Sequence, residues 1–187
     1  MKYLVNLTFL LFILVSCNQN APDTSAFDKG LAMFEKNKAI ADKTFNLFIA
    51  KDLDGMMDMH SEDLIWSPAS TTDTLSKEEF REGMMGWMSE FDQFTFNDRQ
   101  YYPGVDDNFV PNGSVRTYGT WIGTHKSGKQ TITKYYSVLE FNEEGKITAD
   151  LEYFDLGGVW DQLEDCLLYT SDAADDTPCV DLGGRRI

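Results

Sequence analysis

Two carboxylic acids, Asp150 and Glu152, stand one residue apart in a segment, Lys146 to Leu156, whose β-branched and aromatic content reads as a strand. Alternate side chains of a strand point to opposite faces. Asp150 and Glu152 therefore share one face with Thr148 and Phe154, while Ile147, Ala149, Leu151 and Tyr153 share the other. The chemistry depends on which face is enclosed. Inside an apolar hollow each acid opposes ionisation of the other, and desolvation moves a carboxyl from about 4.3 toward ~6–7, the range of a general acid or base near neutrality. If the apolar set packs against the body of the protein instead, both carboxylates are simply hydrated on the open side of the sheet.

A different chemistry is written near the start of the chain. Leu14, Val15, Ser16 and Cys17 close an apolar run that begins at Leu4 and follows Lys2. This is the pattern of a bacterial lipoprotein leader, cut before a cysteine that is then acylated. The run is too short to be a spanning helix, which needs ~20 apolar residues. Residues 1–16 are accordingly expected to be a signal peptide and Cys17 a lipidation site carrying palmitate-type chains, two or three of which anchor a protein stably. The expected address is the bacterial cell envelope, on the periplasmic or surface face. Residues 17–29 read as the lipidated cysteine and tether, and 30–165 as one domain. Residues 166–187, with Cys166, Cys179 and a closing Gly-Gly-Arg-Arg-Ile, lose all periodicity and resemble translated sequencing-adapter read-through or a disordered tail.

The net charge of −15 repels phosphate backbones and anionic lipid heads, so nucleic acid is not an expected partner and the membrane is reached through the lipid on Cys17. The domain contains no cysteine, hence no disulfide. Its two histidines, His60 and His125, lack ligand spacing and no His/Cys/carboxylate cluster accompanies them, so no metal is expected. His60, at a helix-to-strand junction, reads as a buried imidazole bonded to a backbone carbonyl. His125 falls in the turn Thr124 to Gly128. There is no phosphate-binding glycine loop, and no cofactor is expected.

The elements that must position the acids can be read in order. Phe34, Ala41, Phe45 and Phe48 form a stripe on a helix from about Gly30 to Lys51. A shorter helix fits Leu53 to Met59, with Asp52 as cap. Glu62 to Ser67 is a brief strand before Pro68. Ser76 and Glu79 make a capping box, followed by the stripe Phe80, Met84, Trp87, Met88 and Phe91. Four strands follow, Phe94 to Tyr102, Ser114 to Thr124, Gln130 to Phe141 and Lys146 to Leu156, with turns at Pro111-Asn112-Gly113, Ser127-Gly128 and Asn142 to Gly145. Short loops make successive strands antiparallel. The class is α+β, about three helices covering one face of a curved antiparallel sheet.

This order resembles the SnoaL-like branch of the nuclear transport factor 2-like superfamily. The residues that carry the likeness are the Met59-His60-Ser61-Glu62-Asp63-Leu64-Ile65-Trp66 junction, the Phe141 to Ile147 turn and Glu152-Tyr153-Phe154-Asp155, and it covers about Lys38 to Leu163. It implies a cone-shaped cavity, a site that in such proteins serves polyketide cyclases, ketosteroid isomerases, dehydratases and domains without a known reaction. By the resemblance, Asp150, Glu152 and Phe154 face that cavity together with Thr133, Tyr135 and Ser137 of the preceding strand and Tyr118, Thr120 and Ile122 of the one before, with Trp66 or Ser67 at the mouth. Glu152 falls where cyclases carry their acidic base, usually aspartate, and Asp150 where they often carry histidine. Tyr135 could donate a hydrogen bond to an enolate oxygen. The position of the isomerase base falls on Ser67 or Trp66 and that of its oxyanion-side acid on Ser137, which disfavours isomerase chemistry of that type. The expectation is a domain that binds a small hydrophobic or aromatic molecule. The alternatives are a cyclase-, hydratase- or dehydratase-like enzyme working by acid/base catalysis without metal, and a dimerising envelope module whose outer sheet face presents Ala149, Leu151, Tyr153 and Trp121.

Overall fold

A computed structural model describes residues 24–164; the expected signal peptide, Cys17, most of the tether and the 166–187 tail lie outside the described residues. The elements are α1 Ser25–Ile49, α2 Leu53–Met57, β1 His60–Ser67, α3 Lys77–Glu90, β2 Phe91–Val105, β3 Pro111–His125, β4 Gln130–Phe141, β5 Ile147–Tyr153 and α4 Leu156–Asp161. They form an α+β domain in which the helices pack against a five-stranded sheet of order β1-β5-β4-β3-β2, curled but not closed. β2 to β5 pair antiparallel, and β1 joins the β5 edge in parallel.

Helix α1 begins five residues before the expected start at Gly30. Asp28 sits in its first turn, where the helix dipole favours a negative charge, and accepts a hydrogen bond from Thr24. The buried stripe Phe34, Asn37, Ala41, Thr44, Phe45 and Phe48 lies across β3 and β2. Asn37 belongs there because its amide donates to the Gly113 carbonyl at 2.8 Å, tying α1 to the start of β3. Gly30 is required at the same seam: a Cβ would lie 1.8 Å from the Pro111 carbonyl oxygen.

Asp52 caps α2 through the Gly55 amide, and Ser76 with Glu79 closes the capping box of α3. Helix α3 passes into β2 without a loop, so Phe91, expected on the helical stripe, is the first residue of the strand and is 1% exposed. The 15-residue strands β2 and β3 bend because pairing slips between Asn97 and Gln100, where Asp98 takes a φ of 53°, and again near each end. That curl turns one face of the sheet into a concavity beneath α1.

Candidate functional site

The inner face of β5 holds Asp150 and Glu152, with Phe154 following, and these side chains line a cavity of about 90 Å³ between the sheet and the helices. Thr44, Phe45 and Phe48 of α1, Met56 of α2, Met84 and Trp87 of α3 and Val159 of α4 close it opposite the sheet. Phe91, Phe94, Trp121, Gly123, Thr131, Thr133, Tyr135 and Leu139 complete the strand side. The pleat places the two acids inward and turns Ala149, Leu151 and Tyr153 outward, as the enclosed alternative for this strand requires. Ile147 departs from that outward set. It is fully buried, because pairing shifts between Glu140 and Phe141 and between His60 and Ile65, so the alternation does not extend to the start of the strand.

The two acids have unlike surroundings. Glu152 accepts hydrogen bonds from the Trp66 indole Nε1 and from the Tyr135 hydroxyl, each at 2.9 Å. Asp150 is 6% exposed and its Oδ1 has no hydrogen-bond partner. Burial raises the pKa of Asp150 well above the usual carboxylate range, and the Glu152 charge adds to the shift. Burial also raises Glu152, opposed by its two donors. Of the coupled pair, Asp150 therefore holds a proton more firmly while Glu152 is the better seat for the charge. Tyr135 is kept neutral far above its ordinary range, first by burial and then by the charges of Glu152 and Asp150.

Trp66 does not stand at the mouth. It is 6% exposed behind Glu152, its ring T-shaped on Phe80 and pressed over Gly83, and its backbone bridges to Leu75. It acts on the cavity through Glu152 rather than by lining it. Ser137 is likewise on the inner face but fully buried beyond the lined space.

The expected contribution of β3 is displaced by one residue. Tyr118, Thr120 and Ile122 are on the outer face, and Trp121, expected outside, is inside and stacked on Phe96 at 4.2 Å and 6°. The cause lies in two glycines that alternate with it. A Cβ on Gly119 would meet Phe96 Cε2 at 2.2 Å and one on Gly123 would meet Phe91 Cδ1 at 2.7 Å, so these inward positions are left empty for rings of β2. Counting apolar side chains favours the wrong face when the right one owes its packing to missing side chains.

Two further parts of the site escaped sequence reading. Helix α4, capped by Asp155 through the Gly158 amide, supplies Val159 and stacks Trp160 on Trp87 at 5.4 Å. The signal is Asp155 three residues before Gly158, the spacing of a helix cap. The aromatic residues of α1 and α3 serve as both core and cavity lining. His60 is 2% exposed, with Nδ1 facing the Met56 carbonyl at 2.9 Å, and burial lowers its pKa to about 4. Among the described residues, no group of three His, Cys, Asp or Glu could hold a metal ion.

A curled sheet wrapped on helices with its cavity on the concave side is the nuclear transport factor 2-like fold. A protein assigned to the polyketide cyclases from Xanthomonas campestris pv. campestris superposes with a TM-score of 0.59 over 71% of this chain and 99% of its own, at 13% identity. One assigned to the SnoaL-like polyketide cyclases from Shewanella putrefaciens gives 0.55 over 68% and 95%, at 13% identity. A nuclear transport factor 2-like protein from Burkholderia xenovorans gives 0.53 over 70% and 98%, at 16% identity. No family model and no curated protein matches the chain by sequence.

Proposed function

We propose that this chain is a lipid-anchored envelope protein whose domain binds a small hydrophobic or aromatic molecule in the cavity. The observation that carries the reading is an aromatic-walled hollow with convergent polar groups at one end, the form of a small-molecule site. The solved structures with this fold include proteins assigned to the polyketide cyclases, which is consistent with a small-molecule guest. The address is argued from Cys17 and its preceding run; among the described residues no helix is long and apolar enough to cross a membrane. Native mass spectrometry of the purified chain tests the reading. A bound small molecule is expected, and it should be lost when Trp121→Ala and Phe45→Ala remove wall.

A second reading follows from the unlike acids. A pair whose environments push their pKa values apart is the arrangement of an acid and a base. In this reading Glu152 takes a proton, Asp150 donates one and Tyr135 holds a developing oxyanion, giving a cyclase-, hydratase- or dehydratase-like reaction. Glu152→Gln should then abolish turnover while leaving ligand affinity nearly intact.

The outer sheet face is proposed as a homodimer surface. Tyr102, Tyr118, Tyr136 and Tyr153 form a row across β2 to β5, with neighbouring rings 5.8, 4.7 and 5.4 Å apart. Tyr102, Tyr118 and Tyr153 are about half exposed, as is Ile132. Light scattering tests this: a dimer that Leu151→Glu dissolves is expected, and a monomeric wild type removes the proposal.

A further inference from the structure

The cavity contains two carboxyl groups and no positive charge to meet them. None of the side chains that line it is lysine, arginine or histidine. Asp150 lines the cavity at 6% exposure and its Oδ1 has no hydrogen-bond partner, so a purely apolar guest would leave that carboxyl uncompensated. An anionic guest would meet two acids and the negative faces of the wall rings. Phe45, Phe48, Trp87, Phe94, Trp121 and Phe154 surround the remaining space, and aromatic faces attract a cation within about 6 Å of the ring centre. At about 90 Å³ the cavity suits one compact head group better than a fused-ring body.

Building on the ligand-binding reading above, the geometry points to a small organic cation as the guest: an alkyl- or trimethylammonium head caged by the aromatic walls and neutralised by Asp150 and Glu152. The aromatic cage supplies attraction without requiring the guest to donate hydrogen bonds, and the paired acids supply the counter-charge. The net charge of −15 enriches cations around the protein before they enter. Binding couples to protons. Burial holds Asp150 and Glu152 above the usual carboxylate range in the empty cavity, and an arriving cation favours their ionised form. Facing side chains from α1, α2, α3, α4, β2 and β3 are uncharged, as is Trp66 of β1, and Tyr135 of β4 is the one other titratable group there. Affinity therefore rises with pH through the range in which the pair ionises, and protons are released on binding.

The test compares two probes of one shape on the full chain in detergent by isothermal titration calorimetry. Choline carries the charge, and 3,3-dimethylbutanol replaces its nitrogen with carbon. Choline is expected to bind at least about tenfold more tightly near pH ~8, and Asp150→Asn with Glu152→Gln should bring the two probes within about twofold. The wild-type comparison needs no variant, so it stands whether or not the double variant folds. Equal or tighter binding of the alcohol overturns the cation inference and leaves the ligand-binding reading in place. If neither choline nor the alcohol binds and no small molecule accompanies the purified chain, both readings fall.

Discussion

Tyr135→Phe removes one hydroxyl and changes nothing else in shape, which makes it a direct probe of the acid pair. The hydroxyl donates to Glu152 Oε1 at 2.9 Å, and only the Trp66 indole then remains to hold the carboxylate. A hydrogen bond to a charged group contributes about 1.5–3 kcal/mol, so its loss should move the Glu152 pKa further up in the variant. The stability consequence has a definite sign. Glu152 already has a folded pKa raised by burial, so its ionisation costs stability, beginning at the unfolded pKa and growing until pH passes the folded one. A further rise in the folded pKa extends that loss. Urea denaturation on the alkaline side of the Glu152 titration, where the carboxylate is charged, should show Tyr135→Phe destabilised by about 1.5–3 kcal/mol relative to wild type. On the acid side of that titration, where the carboxyl is protonated in both, most of that difference should vanish. A destabilisation of the same size at both pH values would mean that the hydroxyl stabilises the fold generally and does not hold a charge on Glu152. The pKa ordering of the pair, and the acid/base assignment with it, would then fail.

Other consequences can be checked separately. His60, neutral in the fold with a pKa lowered to about 4, gives stability that is intact above its unfolded value near 6.5 and lost as pH falls toward 4, by up to about 3 kcal/mol; its ring signals in NMR should not titrate until about pH 4. Gly119→Ala should displace the Phe96 ring and cost about 1–3 kcal/mol in chemical denaturation, whereas Thr120→Ala on the outer face should stay within about 0.5 kcal/mol. Cys17→Ala should move the protein from the membrane to the soluble fraction and abolish metabolic labelling with an alkynyl palmitate analogue. Asp155→Ala should remove the cap of α4, cost about 1 kcal/mol and speed hydrogen exchange around Val159.

Much of the fold was legible because its signals are local. The Ser76/Glu79 box, the Asp52 cap and the glycine turns each fix a boundary through two or three neighbouring residues, and β4 was read over the same residues that it occupies. The acid-bearing face of β5 follows from alternation alone once one face is enclosed. Alternation could not tell which face that was, since burial of the apolar set by itself favours the opposite face to the one observed. What the acids gain inside is specific: Trp66 and Tyr135 arrive from β1 and β4, far apart in the chain, and neither donor is visible as a partner of Glu152 until the strands are paired.

β3 shows why the rest was hidden, and the same reason connects packing to the site. Its inner face alternates Thr117, Gly119, Trp121 and Gly123, a poor apolar pattern by count. Each glycine yields its volume to a ring on β2, and the rings so admitted, Phe96 and Phe91, fix Trp121 and the aromatic wall beside Tyr135. The concavity is thus built by omission on one strand and by bulk on the next. A side chain on either glycine would displace these rings, so the cavity wall depends on Gly119 and Gly123 as directly as the site depends on the acids of β5.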